Sequence, residues 1–92
     1  MIIRLDPAFL KRLRELPLER QVEVLLASIQ IPAAFAFPGQ HTGLGLRKIH
    51  PKGYWEIRVG LSLRVAFRLE KNLARLMMLG DHDDVRRFLR TV

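Results

Sequence analysis

There is no cysteine among these 92 residues, and only one tryptophan and one tyrosine. Without thiols the chain can make neither a disulfide staple nor a thiolate metal site, so it must fold on its apolar core alone. The three histidines are scattered, His41 and His50 falling in Gly- and Pro-containing stretches, and their spacing gives no metal site. No metal or other cofactor is expected. Long apolar runs are also missing, so no membrane-spanning helix is expected. The opening Met1-Ile2-Ile3-Arg4-Leu5-Asp6-Pro7 lacks the basic head and long apolar stretch of a signal peptide. The expectation is a cytoplasmic protein, residues 1–92 forming one domain near the low end of what buries a self-sufficient core.

Acidic charge is short as well. Sixteen Lys and Arg stand against nine Asp and Glu, a net of +7. The imbalance is local: residues 1–43 carry a net of +1 and residues 44–92 a net of +6. A half-chain this basic suits a polyanionic partner, usually nucleic acid, or simply a well-solvated charged surface.

What is present is hydrophobic periodicity that changes along the chain. Ile2, Ile3 and Leu5 suggest a short strand. Asp6-Pro7 then reads as a helix start, the aspartate supplying an N-cap oxygen and the proline the first helical position. Phe9, Leu10, Leu13 and Leu16 share one helical face, and Pro17 ends that helix. In a second helix Leu18, Val22, Leu25, Leu26 and Ile29 form an apolar stripe, predicted to face the core in a helical hairpin. Pro32, Pro38, Gly39, Gly43 and Gly45 punctuate residues 31–45, which read as a loop whose Ala33-Ala34-Phe35-Ala36-Phe37 run lies against the domain.

From Leu46 the period becomes two. In Tyr54-Trp55-Glu56-Ile57-Arg58-Val59 the residues Trp55, Ile57 and Val59 share a face, and in Leu61 to Leu69 so do Leu63, Val65, Phe67 and Leu69. Gly60-Leu61-Ser62 and Lys71-Asn72 are turns, Leu73 to Leu79 a further strand ended by Gly80, and Asp83 to Leu89 a short helix with Val85, Phe88 and Leu89 inward. The fold class is therefore α+β: an N-terminal helical hairpin packed on a twisted antiparallel sheet, with a short C-terminal helix. One sheet face is expected under the hairpin and the other open to solvent, carrying Glu56, Arg58, Arg64 and Arg68, with Arg47, Lys48, His50 and Lys52 just before. Guanidinium forks on such a face match phosphate oxygens, though Glu56 can equally answer Arg58 or Arg64 across strands. Trp55, in phase with Ile57 and Val59, is read as core.

Gly45-Leu46-Arg47-Lys48-Ile49, Tyr54-Trp55-Glu56-Ile57-Arg58-Val59, Leu63-Arg64-Val65-Ala66-Phe67-Arg68 and Leu79-Gly80-Asp81-His82-Asp83-Asp84-Val85 together resemble the RelE/ParE superfamily of bacterial toxins, over nearly the whole chain. The resemblance implies the toxic half of a type II toxin–antitoxin pair, held in a heteromeric complex by a cognate antitoxin and having no membrane partner. Members similar to RelE and HigB cut messenger RNA on the ribosome without a metal. The ribose 2′-hydroxyl attacks its own 3′-phosphate, leaving a 2′,3′-cyclic phosphate and a 5′-hydroxyl. By motif position Arg64 is then the phosphate-binding arginine, Arg58 an RNA-contacting strand residue, and His82 a proton shuttle, imidazole being the side chain that titrates near neutrality. Arg86 stands where many members carry a tyrosine. Arg47, Lys48, Lys52 and Arg68 are the expected RNA-binding side chains. The same resemblance leaves open a ParE-like poison of DNA gyrase, or a catalytically inactive relative that binds only its antitoxin.

Overall fold

A computed structural model of the protein describes residues 1–39 and 42–92. Gln40 and His41, within the expected loop, lie outside the described residues. The chain runs β1 (Ile2–Leu5), α1 (Pro7–Arg14), α2 (Leu18–Ser28), α3 (Ile31–Ala36), a single 3-10 turn (Thr42–Leu44), β2 (Arg47–His50), β3 (Tyr54–Val59), β4 (Leu63–Glu70), β5 (Leu73–Gly80) and α4 (His82–Leu89).

The five strands form one sheet in the order β1-β5-β4-β3-β2. The meander from β2 to β5 is antiparallel, as its short turns require. Asn72 adopts a positive φ of 54° in the tight β4–β5 turn, a conformation that asparagine tolerates better than most residues. β1 departs from the expected antiparallel sheet. It pairs parallel to β5, Ile2 opposite Leu73 and Leu5 opposite Leu76, so the sheet is mixed.

Phe9, Leu13, Val24, Ile31, Ala34, Ile57, Val65, Phe67, Leu76 and Leu79 form the core between the sheet and α1 to α3. The alternating residues of β3 and β4 supply it as read from the sequence, and Trp55 packs edge-on against Phe35, ring centroids 5.0 Å apart. Three expectations are corrected here. Residues 31–36 are a helix rather than a loop: Pro32 sits in its first turn, where a missing N–H costs nothing, and Ile31 and Ala34 face inward. Asp6 occupies the N-cap position of α1 but makes no side-chain cap; its carboxylate accepts a hydrogen bond from Arg75 at 3.3 Å instead. The Leu18, Val22, Leu25, Leu26 and Ile29 stripe of α2 faces solvent. Its inner side is Val24, Ala27 and Ser28, small residues that let the helix sit close on the sheet. The Ser28 hydroxyl is satisfied within the helix, donating to the Val24 carbonyl at 2.7 Å.

Candidate functional site

The second face of the sheet is where the basic residues gather, and it is not left open. α4 lies across it. Val85 is buried, and Phe88 packs edge-on against Tyr54, ring centroids 5.7 Å apart. The expectation of an exposed face is thereby corrected: Tyr54, Glu56 and Ala66 are all buried on it.

The sequence builds α4 and its start strongly. Asp81 is the N-cap, its carboxylate accepting from the Asp84 N–H at 2.8 Å while Asp84 accepts from the Asp81 N–H at 2.9 Å, a reciprocal capping box. Asp84 also pairs with Arg87 and lies 3.7 Å from Arg12 of α1, so it ties two helices together. The Asp81 N–H, aided by Arg12 and Arg87, holds the Asp84 carboxyl below the usual aspartate range. Gly80 precedes this box, and a Cβ there would collide with the Asp84 side chain.

Glu56, at the centre of the face, is only 2% exposed. A buried carboxylate needs compensation. Its Oε2 accepts from Arg47 Nε at 2.7 Å and from Arg64 Nη1 at 2.8 Å. Two guanidinium groups are thus oriented by one acceptor, from strands on either side of β3. Beside this clamp a cavity of about 300 Å³ is lined by Arg47, Lys48, Glu56, His82, Val85 and Arg86, among others. His82 and Arg86 sit one turn apart on α4, both exposed.

The structure therefore brings together Arg47, Lys48, His82 and Arg86, with Arg64 held to the same carboxylate. It does not bring the others in. Arg58 faces Arg64 directly across β3–β4, yet lines a separate groove beside Gly60 and α2. Lys52 is exposed in the β2–β3 turn, where its N–H donates to His50 Nδ1 at 3.1 Å. Arg68 is exposed with its guanidinium 5.8 Å from the Tyr54 ring centroid, a cation–π contact. Farther along the face Arg75 holds the Glu70 carboxyl below its usual range through a 2.7 Å hydrogen bond. Glu56 is the residue whose part in the site the sequence concealed. Its alternation with Ile57 marked it as outward, and only the cover given by α4 makes outward mean buried. Among the described residues no group of three or more potential metal ligands occurs, and no helix is long and apolar enough to cross a membrane.

No family model and no curated protein matches the chain by sequence. Solved structures do match in shape. YafQ from E. coli superimposes with a TM-score of 0.63 at 13% identity, covering 90% of this chain and 94% of that one. A copper-bound mutant toxin from Helicobacter pylori gives 0.61 at 15% identity, over 92% and 98% of the two chains. The toxin–antitoxin complex RelBE2 from Mycobacterium tuberculosis gives 0.54 at 13% identity, over 88% and 96%. The fold is that of the RelE- and YafQ-type toxins.

Proposed function

We propose that this chain is the toxin of a type II toxin–antitoxin pair and a metal-independent endonuclease of ribosome-bound messenger RNA, acting in the cytoplasm. The observation that carries the reading is the cavity itself: His82, Arg86, Arg47 and Lys48 converge beside a carboxylate that already orients two guanidinium groups. Shape similarity to toxins, one of them solved with its antitoxin, supports the partner.

Transesterification at a ribose needs a group to take the 2′-proton, cations to stabilise the crowded phosphorane, and a proton for the departing 5′-oxygen. In this reading His82 takes the proton from the 2′-hydroxyl as its oxygen bonds to phosphorus, and water protonates the 5′-oxygen as the P–O5′ bond breaks. Arg64 and Arg86 lie on the developing negative charge, and Arg47 and Lys48 hold the neighbouring phosphates. Glu56 is a positioning residue: by accepting from Arg47 Nε and Arg64 Nη1 it fixes the plane of each fork and leaves other N–H groups for phosphate. Arg58, Lys52 and Arg68 extend the basic surface along which the message runs. Sequencing RNA 5′ ends after brief expression tests the reading. New ends inside reading frames are expected; their absence, with translation unimpaired, overturns it.

A non-cleaving poison of DNA gyrase is the second reading, and one observation favours it. The sole tyrosine, Tyr54, is buried beneath Phe88 and does not line the cavity, so it cannot replace the tyrosine that many such nucleases carry. Trapped gyrase–DNA cleavage complexes without new RNA ends would select that reading.

A further inference from the structure

His50 ends β2, and the pleat of a regular strand would turn it away from the cavity. Side chains alternate along a strand, so Arg47 and Ile49 belong to the face that α4 covers and residue 50 to the other. The pairing slips by one residue and reverses this. Arg47 stands opposite Glu56 and Lys48 opposite Trp55, but the next pair is His50 with Tyr54, which leaves Ile49 as an extra residue. Such a bulge re-aims the side chain that follows it, and bulges are over-represented beside active sites. His50 thereby joins Tyr54 and Glu56 on the α4 side, its ring edge-on to Tyr54 with centroids 5.8 Å apart.

The ring is also held in its own plane. Nδ1 accepts from the Lys52 N–H at 3.1 Å, so in the neutral ring the proton sits on Nε2. Closing the turn asks only for an acceptor, which the shorter side chain of an Asn or Asp supplies to the N–H two residues on. Here the acceptor is carried by a flat ring that is only half-buried. Cations flank it. Lys52 follows in the turn, and Arg68 stands opposite Tyr54 on the β4 side with its guanidinium 5.8 Å from the Tyr54 ring centroid. Both are exposed. Splayed RNA bases stack on aromatic rings, histidine among them, while neighbouring cations take the phosphates.

Position along α4 decides which part of the RNA is met. Phe88 also touches Tyr54, centroids 5.7 Å apart, and stands six residues beyond His82, a rise of about 9 Å. That is too far for His50 to share with His82 the proton transfers at one phosphorus, and within reach of a neighbouring nucleotide. We propose that His50 is a base-stacking subsite for a nucleotide beside the scissile phosphate, the base lying on its ring and Lys52 and Arg68 pairing with the adjoining phosphates. The inference rests on the nuclease reading given above.

The test uses the full chain on ribosomes programmed with a short message carrying 2-aminopurine at one or the other nucleotide beside the cut. Stacking quenches the fluorescence of this base, and a 2′-deoxy sugar at the cut keeps the message intact during that measurement. His50→Asn keeps an acceptor for the Lys52 N–H and removes the ring. It is expected to leave the melting temperature and the maximal cleavage rate unchanged. The half-saturating protein concentration should rise at least about fivefold, the low end for one stacked base, and the quenching should vanish. His50→Phe keeps a flat ring without the acceptor, and should saturate and quench as the unmodified chain does. Unchanged saturation in His50→Asn, or a phenylalanine variant as weak as the asparagine one, overturns the subsite. So does a message that the unmodified chain cuts without quenching at either position. An unmodified chain that neither cuts nor quenches overturns the nuclease reading beneath it.

Discussion

Glu56 and Arg64 stand on adjacent strands, one diagonal step apart in register, with Arg64 Nη1 donating to the Glu56 carboxylate at 2.8 Å. The carboxylate is 2% exposed and the arginine side chain 19%. Removing the arginine leaves a buried anion with Arg47 as its remaining partner. Arg64→Ala is therefore expected to destabilise the fold by about 3 kcal/mol, in the range for breaking a buried pair from one side. Arg58→Ala, exposed and one cross-strand pair away, should stay within about 0.5 kcal/mol. Urea unfolding of the two variants decides this; equal midpoints would mean that the clamp does not contribute to folding.

His82→Gln keeps a polar side chain at the first position of α4 and removes the titrating ring. Stability should be close to unchanged, because the position is exposed. Cleavage of message in a translating extract should fall by about a hundredfold or more, the usual share of a positioned proton-transfer group. Cleavage at the original rate would take His82 out of the chemistry.

Acid should loosen α4. Because the Asp84 carboxyl is held below its ordinary range in the folded protein, its contribution is present above the unfolded-state value, about 3.9. That contribution is lost as pH falls through the lower folded value. Thermal melts at pH 7 and near pH 3 should show a larger loss for the unmodified chain than for Asp84→Asn, which has no such proton to bind. Parallel losses in the two proteins would assign acid sensitivity to other groups.

Gly45 has φ +64°, and a Cβ there would stand 3.0 Å from Arg58 Cγ. Gly45→Ala should therefore cost about 1–2 kcal/mol from the left-handed backbone alone, and should also displace the Arg58 side chain. The midpoint of urea unfolding reads the first effect. An unchanged midpoint would show that the segment relaxes to a negative φ without loss.

Much of the fold was legible because strands announce themselves by period two. Ile57, Val59, Val65 and Phe67 alternate into the core as their spacing demands. The orientation of α2 is less legible. Periodicity shows that a helix has an apolar face but not which way that face points, and the inner side of α2, Val24, Ala27 and Ser28, is less apolar than its outer stripe. Pro32 is ambiguous for a local reason, since a proline that ends one helix is also tolerated in the first turn of another. At the site, motif position is what points to His82 and Arg86. Their neighbourhood with Arg47 depends on the β2–β3 register, which places Arg47 opposite Glu56 through an irregular pairing near Lys48 that no local pattern encodes.

The parallel pairing of Ile2–Leu5 with the strand that begins at Leu73 sets a timetable for the chain. On a ribosome the first strand is made early but has no neighbour until β5 is available, and α4 follows later still. Contacts of such long sequence separation are entropically costly to close and form late. Until then the β1 segment is an unpaired edge, and the cavity lacks the helix that carries His82 and Arg86. The charged pocket thus forms only once β5 and α4 have both followed the first strand, and a nascent chain that still lacks α4 does not yet possess one.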